Sequence, residues 1–195
     1  MGASIKTDNR FLEPKLKLRR HFLTRYHATP PRVLDCCQGS GVLWKALLKE
    51  FPVEQYWGLD KKRRKGRLTI DSVRVLESGK WAADVLDVDT YGSPWSHWFH
   101  ALRTGQGPLT VFLTVGLIRM GGGGMMSKPV LQALRLSGIK RAIPPSLLGK
   151  LHDFSVDYCL RQSLAMGWTI IEAQEAFPSD KARYLGLRLE KTSTS

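Results

Sequence analysis

At 195 residues, 43% apolar and 24% charged, the chain has the length and balance of one globular domain able to bury a core. No apolar run approaches the ~18 residues of a membrane-spanning helix. Residues 1–9 lack the charged-then-apolar pattern of a signal peptide, and the three cysteines have neither metal-ligand nor disulfide-framework spacing. A cytoplasmic protein without a metal is expected, with no membrane partner. Its formal charge of +13 points to a polyanionic partner, because excess positive charge attracts polyanions.

Residues 1–31 are basic, the first 32 holding eight Lys and Arg against Asp8 and Glu13. A helix is expected from Leu16 to Tyr26, stopped by Thr29-Pro30-Pro31, since proline cannot continue a helix and restricts its predecessor. Arg32-Val33-Leu34-Asp35 has the form of a short buried parallel strand. The glycine turn Gln38-Gly39-Ser40-Gly41 leads into a helix from Val42 to Leu48, and Gln55 to Asp60 predicts a second strand. Lys61 to Arg67 then places six charges in seven residues. Leu68-Thr69-Ile70 is expected as a third strand, Val73 to Glu77 as a helical turn and Ala83 to Val88 as a fourth strand.

A helix from Trp95 to Arg103 and an apolar strand from Leu109 to Val115 follow. From Thr90 to His152 there are seven Lys and Arg and no acid. Residues 116–150, with Gly121 to Gly124 consecutive and Pro129, Pro144 and Pro145, are expected to be a flexible insertion. A helix from Leu151 to Met166 and two closing strands, Trp168 to Ala173 and Arg183 to Leu189, complete the chain. Alternating strands and helices imply a mostly parallel sheet covered on both faces. The short polar link between the last two strands implies one antiparallel strand at its edge. The cysteines Cys36, Cys37 and Cys159 are expected as small core residues.

Ligands of open parallel sheets bind beyond the carboxyl ends of the strands, where the strand order reverses. Asp35-Cys36-Cys37-Gln38-Gly39-Ser40-Gly41 sets an acid and a glycine turn at such a place. It is neither the GxGxxG of dinucleotide binders nor a phosphate loop ending in Gly-Lys-Ser/Thr. Asp60 ends the second strand, where an acid can accept hydrogen bonds from both ribose hydroxyls. Asp71-Ser72, after the third, can do the same for an adenine amino group. Any one of these acids can serve only as a cap or turn residue. Three at successive strand ends, with the glycine turn after the first, form a pattern.

By these residues the chain, over roughly residues 30–190, resembles the class I S-adenosylmethionine (SAM)-dependent methyltransferases. The resemblance implies a Rossmann-like α/β fold, a mostly parallel seven-stranded sheet with one antiparallel edge strand and helices on both faces. The cofactor would be SAM, bound at its methionine end by Asp35, Gly39 and Gly41, at its ribose by Asp60 and at its adenine by Asp71 and Ser72. The chain would be a single methyltransferase domain over residues 1–195.

Asp87-Val88-Asp89-Thr90-Tyr91-Gly92-Ser93-Pro94, at the end of the fourth predicted strand, resembles the Asp-Pro-Phe/Tyr-Gly loop of the tRNA guanine-N2 methyltransferases. An exocyclic amine is a poor nucleophile because its lone pair is delocalised into the ring. A carboxylate accepting its N–H bonds localises that pair, and a stacked aromatic holds the geometry, which is a proximity effect. By this match Asp89 would hold the amine and Tyr91 would stack on the base; Thr90 departs from the family's proline. Trp95, His97, Trp98 and His100 follow at helical spacing and are expected as core, with stacking on a flipped base the functional alternative. The function expected is methyl transfer to a base amino nitrogen of nucleic acid, RNA rather than DNA, with the basic N-terminal segment and the insertion gripping phosphates. The alternatives are a methyltransferase acting on a protein or small molecule, and a non-catalytic SAM- or nucleic-acid-binding protein of the same fold. Target base and oligomeric state are not encoded in any recognisable pattern.

Overall fold

The computed structural model describes residues 11–62, 69–90, 92–116, 145–176 and 182–192. Tyr91, the basic residues Arg63 to Arg67 and the glycine run Gly121 to Gly124 lie outside them. The elements are α1 (Leu12–Tyr26), β1 (Arg32–Asp35), α2 (Val42–Leu47), β2 (Gln55–Gly58), α3 (Ser72–Glu77), β3 (Val85–Val88), α4 (Trp95–Thr104), β4 (Leu109–Gly116), α5 (Pro145–Ala165), β5 (Trp168–Ala176) and β6 (Ala182–Lys191). α5 starts inside the segment expected to be a flexible insertion. Pro145 occupies its first position, where a missing N–H costs nothing.

The sheet has six strands among the described residues, not seven, in the order β2-β1-β3-β4-β6-β5. The expected strand at Leu68-Thr69-Ile70 contributes one isolated parallel bridge, Asp60 to Thr69. Leu68 lies outside the described residues; Thr69 and Ile70 are exposed, and Asp71 at once caps α3. β1 to β4 pair in parallel, and β6 is antiparallel to both β4 and β5. The reversed strand therefore lies inside the sheet rather than at its edge. β6 buries Tyr184, Leu185 and Leu187, residues that alternate between its two faces, as an interior strand requires. β5 exposes Ile171 and is blunted by a register shift between Ile170 and Glu172, as suits an edge.

Period-two alternation sorts the strand residues between two cores. Leu34, Leu86, Val88, Val111, Leu113 and Leu187 face α3, α4 and α5, where Trp95, Trp98 and Trp168 are buried. Trp98 and Trp168 donate their indole N–H groups to Cys159 O and Leu102 O, at 2.8 and 2.7 Å, so neither buries an unpaired donor. Trp95, His97 and Trp98 are thus core residues, as expected, while Cys37 is only half-buried because it lies in the turn after β1. On the opposite face Val33, Val85 and Phe112 meet α1 and α2. Asp35, Asp87 and Asp89 share the parity of Val33 and Val85 and so face α1 and α2 as well.

α1 docks through Phe22, fully buried and edge-on to Phe112 at 5.8 Å between ring centres. Gly186, directly across from Phe112 in the ladder, leaves the room that the Phe22 ring fills. A Cβ at position 186 would lie 2.5 Å from that ring. Gly186→Ala is expected to destabilise the protein by about 1–3 kcal/mol through overpacking, measured as a fall in the urea midpoint at unchanged m-value.

Candidate functional site

The carboxyl ends of β1 and β3 and the turn after β1 border a small, open crevice with about 20 Å³ of free volume. Asp35, Cys37, Gln38, Gly41, Leu43, Trp44, Asp87 and Asp89 line it. A second hollow, lined by Leu23, His27, Pro30 and Phe51 among others, lies at the opposite, amino-terminal end of β1. Strand-end chemistry in parallel sheets belongs to the carboxyl side.

The glycine turn is built from the backbone. Gly39 and Gly41 hold φ of 53° and 72°, the left-handed region that side chains avoid, and Gly41 caps α2. Gly41 N donates to Gln38 O and Gln38 N to Leu59 O, at 2.7 and 2.9 Å. Asp60 accepts from Gly39 N at 3.1 Å and from Lys62 N at 2.8 Å, tying the turn to the end of β2. Asp71 accepts from Val73 N at the start of α3 and pairs with Lys61 at 3.0 Å. Ser72 turns the other way. Its hydroxyl is 2% exposed and bonded at 2.9 Å to His97, whose imidazole burial depresses to about 4 and so keeps neutral. Asp35, Gly41 and Asp89 thus meet in one crevice, Gly39 and Asp60 adjoin it, and the Ser72 hydroxyl is spent in the core.

Three carboxylates converge on the crevice. Asp87 receives a two-pronged bond from Arg19, Nε to Oδ2 at 2.7 Å and Nη2 to Oδ1 at 2.6 Å, both side chains at most 2% exposed. The Trp44 indole N–H adds a third bond at 2.7 Å. Asp89, just past β3, accepts from Lys15 Nζ at 2.6 and 2.7 Å and from the Thr114 hydroxyl at 2.6 Å. Burial alone would raise the Asp89 carboxyl, but the charges of Lys15 and Arg19 and the bonds from Lys15 and Thr114 hold it below the usual range. Among the described residues no cation pairs directly with Asp35, which accepts from Tyr56 OH at 2.7 Å and Cys37 N at 3.2 Å. Burial, with the charge of Asp87 next, pushes its carboxyl well above the usual range, outweighing those bonds.

The loop carrying Asp89 is pinned without the family's proline. Gly116 N, at the end of β4, donates to Gly92 O at 2.6 Å, and a Cβ at 116 would lie 2.9 Å from the Gly92 backbone. The N-terminal helix departs most from expectation. Of its basic residues Lys15 and Arg19 point inward, Arg20 pairs with Glu13 and Glu50, and Arg25 with Glu172. Lys17 is exposed on the same helix, and residues 1–10 of the basic segment lie outside the described residues. Lys15, Arg19 and Asp87 were not legible as site residues. Their signal is the spacing of Lys15 and Arg19 by one helical turn.

No family model and no curated protein matches the sequence. Among solved structures, Trm1 from Pyrococcus horikoshii in complex with S-adenosyl-L-methionine superposes over 96% of this chain with a TM-score of 0.65 at 15% identity. This chain spans 57% of that one. A putative hemolysin from Streptococcus thermophilus matches over 99% of this chain and 70% of its own, with a TM-score of 0.59 at 12% identity. M. jannaschii TYW2 in complex with AdoMet matches over 97% and 80%, with a TM-score of 0.53 at 8% identity. The chain therefore has the Rossmann-like fold of the SAM-dependent methyltransferases. A fold does not by itself assign a reaction, as the hemolysin illustrates.

The Arg19–Asp87 pair is the energetic keystone of this site. Arg19→Met leaves the Asp87 charge buried and unpaired. It is expected to cost about 3–5 kcal/mol of stability, read from chemical unfolding.

Proposed function

We propose that the chain is a SAM-dependent methyltransferase acting on an amino nitrogen of a nucleic-acid base, with RNA the favoured substrate. One observation carries the cofactor assignment: three carboxylates meet two cations in the crevice. Lys15 and Arg19 balance Asp89 and Asp87, which leaves Asp35 as the odd charge. Burial and the charge of Asp87 push its carboxyl well above the usual range. A ligand that brings a cation offsets that charge, and the methionine end of SAM carries an ammonium and a sulfonium. The buried Gln38 Oε1, an acceptor without a partner in the crevice, supports the same fit. Asp60 and Asp71, beyond the glycine turn, extend the acceptors toward ribose and adenine. Ser72 contributes there through backbone alone, because its hydroxyl is bonded to His97.

Bound SAM supplies an electrophilic methyl group on a positively charged sulfur. The chain's part is to hold the acceptor. Asp89, 29% exposed at the rim of the crevice, accepts an N–H of the amine and so keeps the nitrogen lone pair out of the ring. Tyr91 is assigned to stack on the base, as the loop resemblance implies. The net charge of +13 supports a polyanionic substrate. Exposed Lys17, Lys45, Lys49 and Lys62 supply positive charge that the paired arginines of α1 do not. That pairing also favours the second reading, a protein or small-molecule acceptor, and salt dependence of the reaction separates the two.

The direct test is transfer of labelled methyl from SAM to separate pools of RNA, tRNA, DNA and protein, followed by nuclease digestion. Label in a modified nucleoside is expected; SAM binding without label in any pool would point to the non-catalytic reading. Asp89→Ala is expected to lower transfer at least about 10²-fold. Asp60→Ala is expected to weaken SAM about 10–100-fold, the loss of hydrogen bonds to a charged group. Because Asp35 gives up a proton as the cation arrives, SAM should bind more tightly as pH rises, by up to about tenfold per unit. A pH-independent dissociation constant in titration calorimetry would remove Asp35 from the cofactor site.

A further inference from the structure

Lys15 reaches the site from a helix 74 residues away in sequence from its partner Asp89. Its ammonium bonds both Asp89 oxygens and sits 4.8 Å from the centre of the Tyr184 ring, with the side chain 13% exposed. A lysine held in this way is a fixed charge rather than a mobile surface group. We propose that Lys15 is a positioning residue for methyl transfer: it fixes the Asp89 carboxylate as a hydrogen-bond acceptor with room for a single N–H of the substrate amine. The inference rests on the methyltransferase reading above.

The count of acceptor sites gives the stoichiometry. An ionised carboxylate offers about four lone-pair sites. Lys15 takes one on each oxygen of Asp89 and the Thr114 hydroxyl takes the second on Oδ1. One site on Oδ2 remains among the described residues. A primary amine docked there gives one hydrogen to Asp89, which draws electron density onto its nitrogen and leaves the lone pair free to face the methyl group.

The groups around Asp89 also set the sign of its titration. α1 contributes Lys15 and Arg19, β1 and its turn Asp35 and Cys37, β3 Asp87, and β4 the Thr114 hydroxyl. Burial favours a protonated Asp89; Lys15, Arg19 and the Thr114 hydroxyl oppose it, and Arg19 is already committed to Asp87. Without Lys15 the balance tips. A protonated Asp89 presents an O–H where an acceptor is needed.

The test compares wild type, Lys15→Met and Lys15→Arg. The pH–rate profile of methyl transfer is read beside the carboxyl ¹³C titration of Asp89, assigned by its loss in Asp89→Asn. In Lys15→Met the acid limb and the Asp89 titration are expected to move up together by about 1–3 pH units. Lys15→Arg is expected to restore both, and SAM should bind Lys15→Met no more weakly than wild type, because the crevice gains negative charge. Thr114→Val, which removes the other bond to Asp89, is expected to shift both in the same direction by less, and it serves as the test should Lys15→Met fail to fold. Wild-type turnover with an acid limb that neither variant moves would overturn the role of Lys15. No wild-type transfer to any pool would instead overturn the methyltransferase reading.

Discussion

The buried ion pair between Arg19 and Asp87 is the constraint on which the rest of the structure depends. Both partners are taken almost entirely out of water, and the cost of that is tolerable only because three donors satisfy the carboxylate with near-ideal lengths. The guanidinium also lies 4.8 Å from the Phe112 ring and donates to Lys15 O, so each of its three nitrogens has an acceptor. A pair this demanding has one geometry. It sets α1 at a defined height over the carboxyl ends of β1 and β3, and Lys15, one turn back along the same face, falls onto Asp89.

The apolar packing under that pair supplies most of the favourable energy but less of the specificity. Phe22, Leu23 and Leu18 would satisfy their burial over a range of helix positions. The Gly186 hole and the Arg19 fork remove that freedom together. The opposite face of the sheet packs Trp95, Trp98 and Trp168 among branched aliphatics. Chemistry is thus segregated to one face by the alternation of the strands, and the rigid face holds it in register.

Charge at the crevice reads as unfinished. Two cations and three acids leave Asp35 to be resolved by a proton or by a ligand, and burial keeps that choice energetically sharp. Gly92 is held to β4 by its contact with Gly116.

Much of this was legible in the sequence, because the signals are local. The glycine turn after Asp35, the acid at the end of β2, the succession of strands and helices and the core tryptophans each depend on residues a few positions apart. Short-range sterics, alternation and capping set such features wherever the chain goes. The missing third strand was near the limit, three residues squeezed between a basic run and a helix cap. Placement of β6 inside β5 could have been read from its apolar residues on both faces, but only by comparing the two strands. Tertiary structure alone decided that Lys15 and Arg19 meet carboxylates 74 and 68 residues away and that Ser72 turns to His97. Those choices are settled by which groups the assembled sheet brings within reach of one another, and by the cost of leaving any buried charge alone.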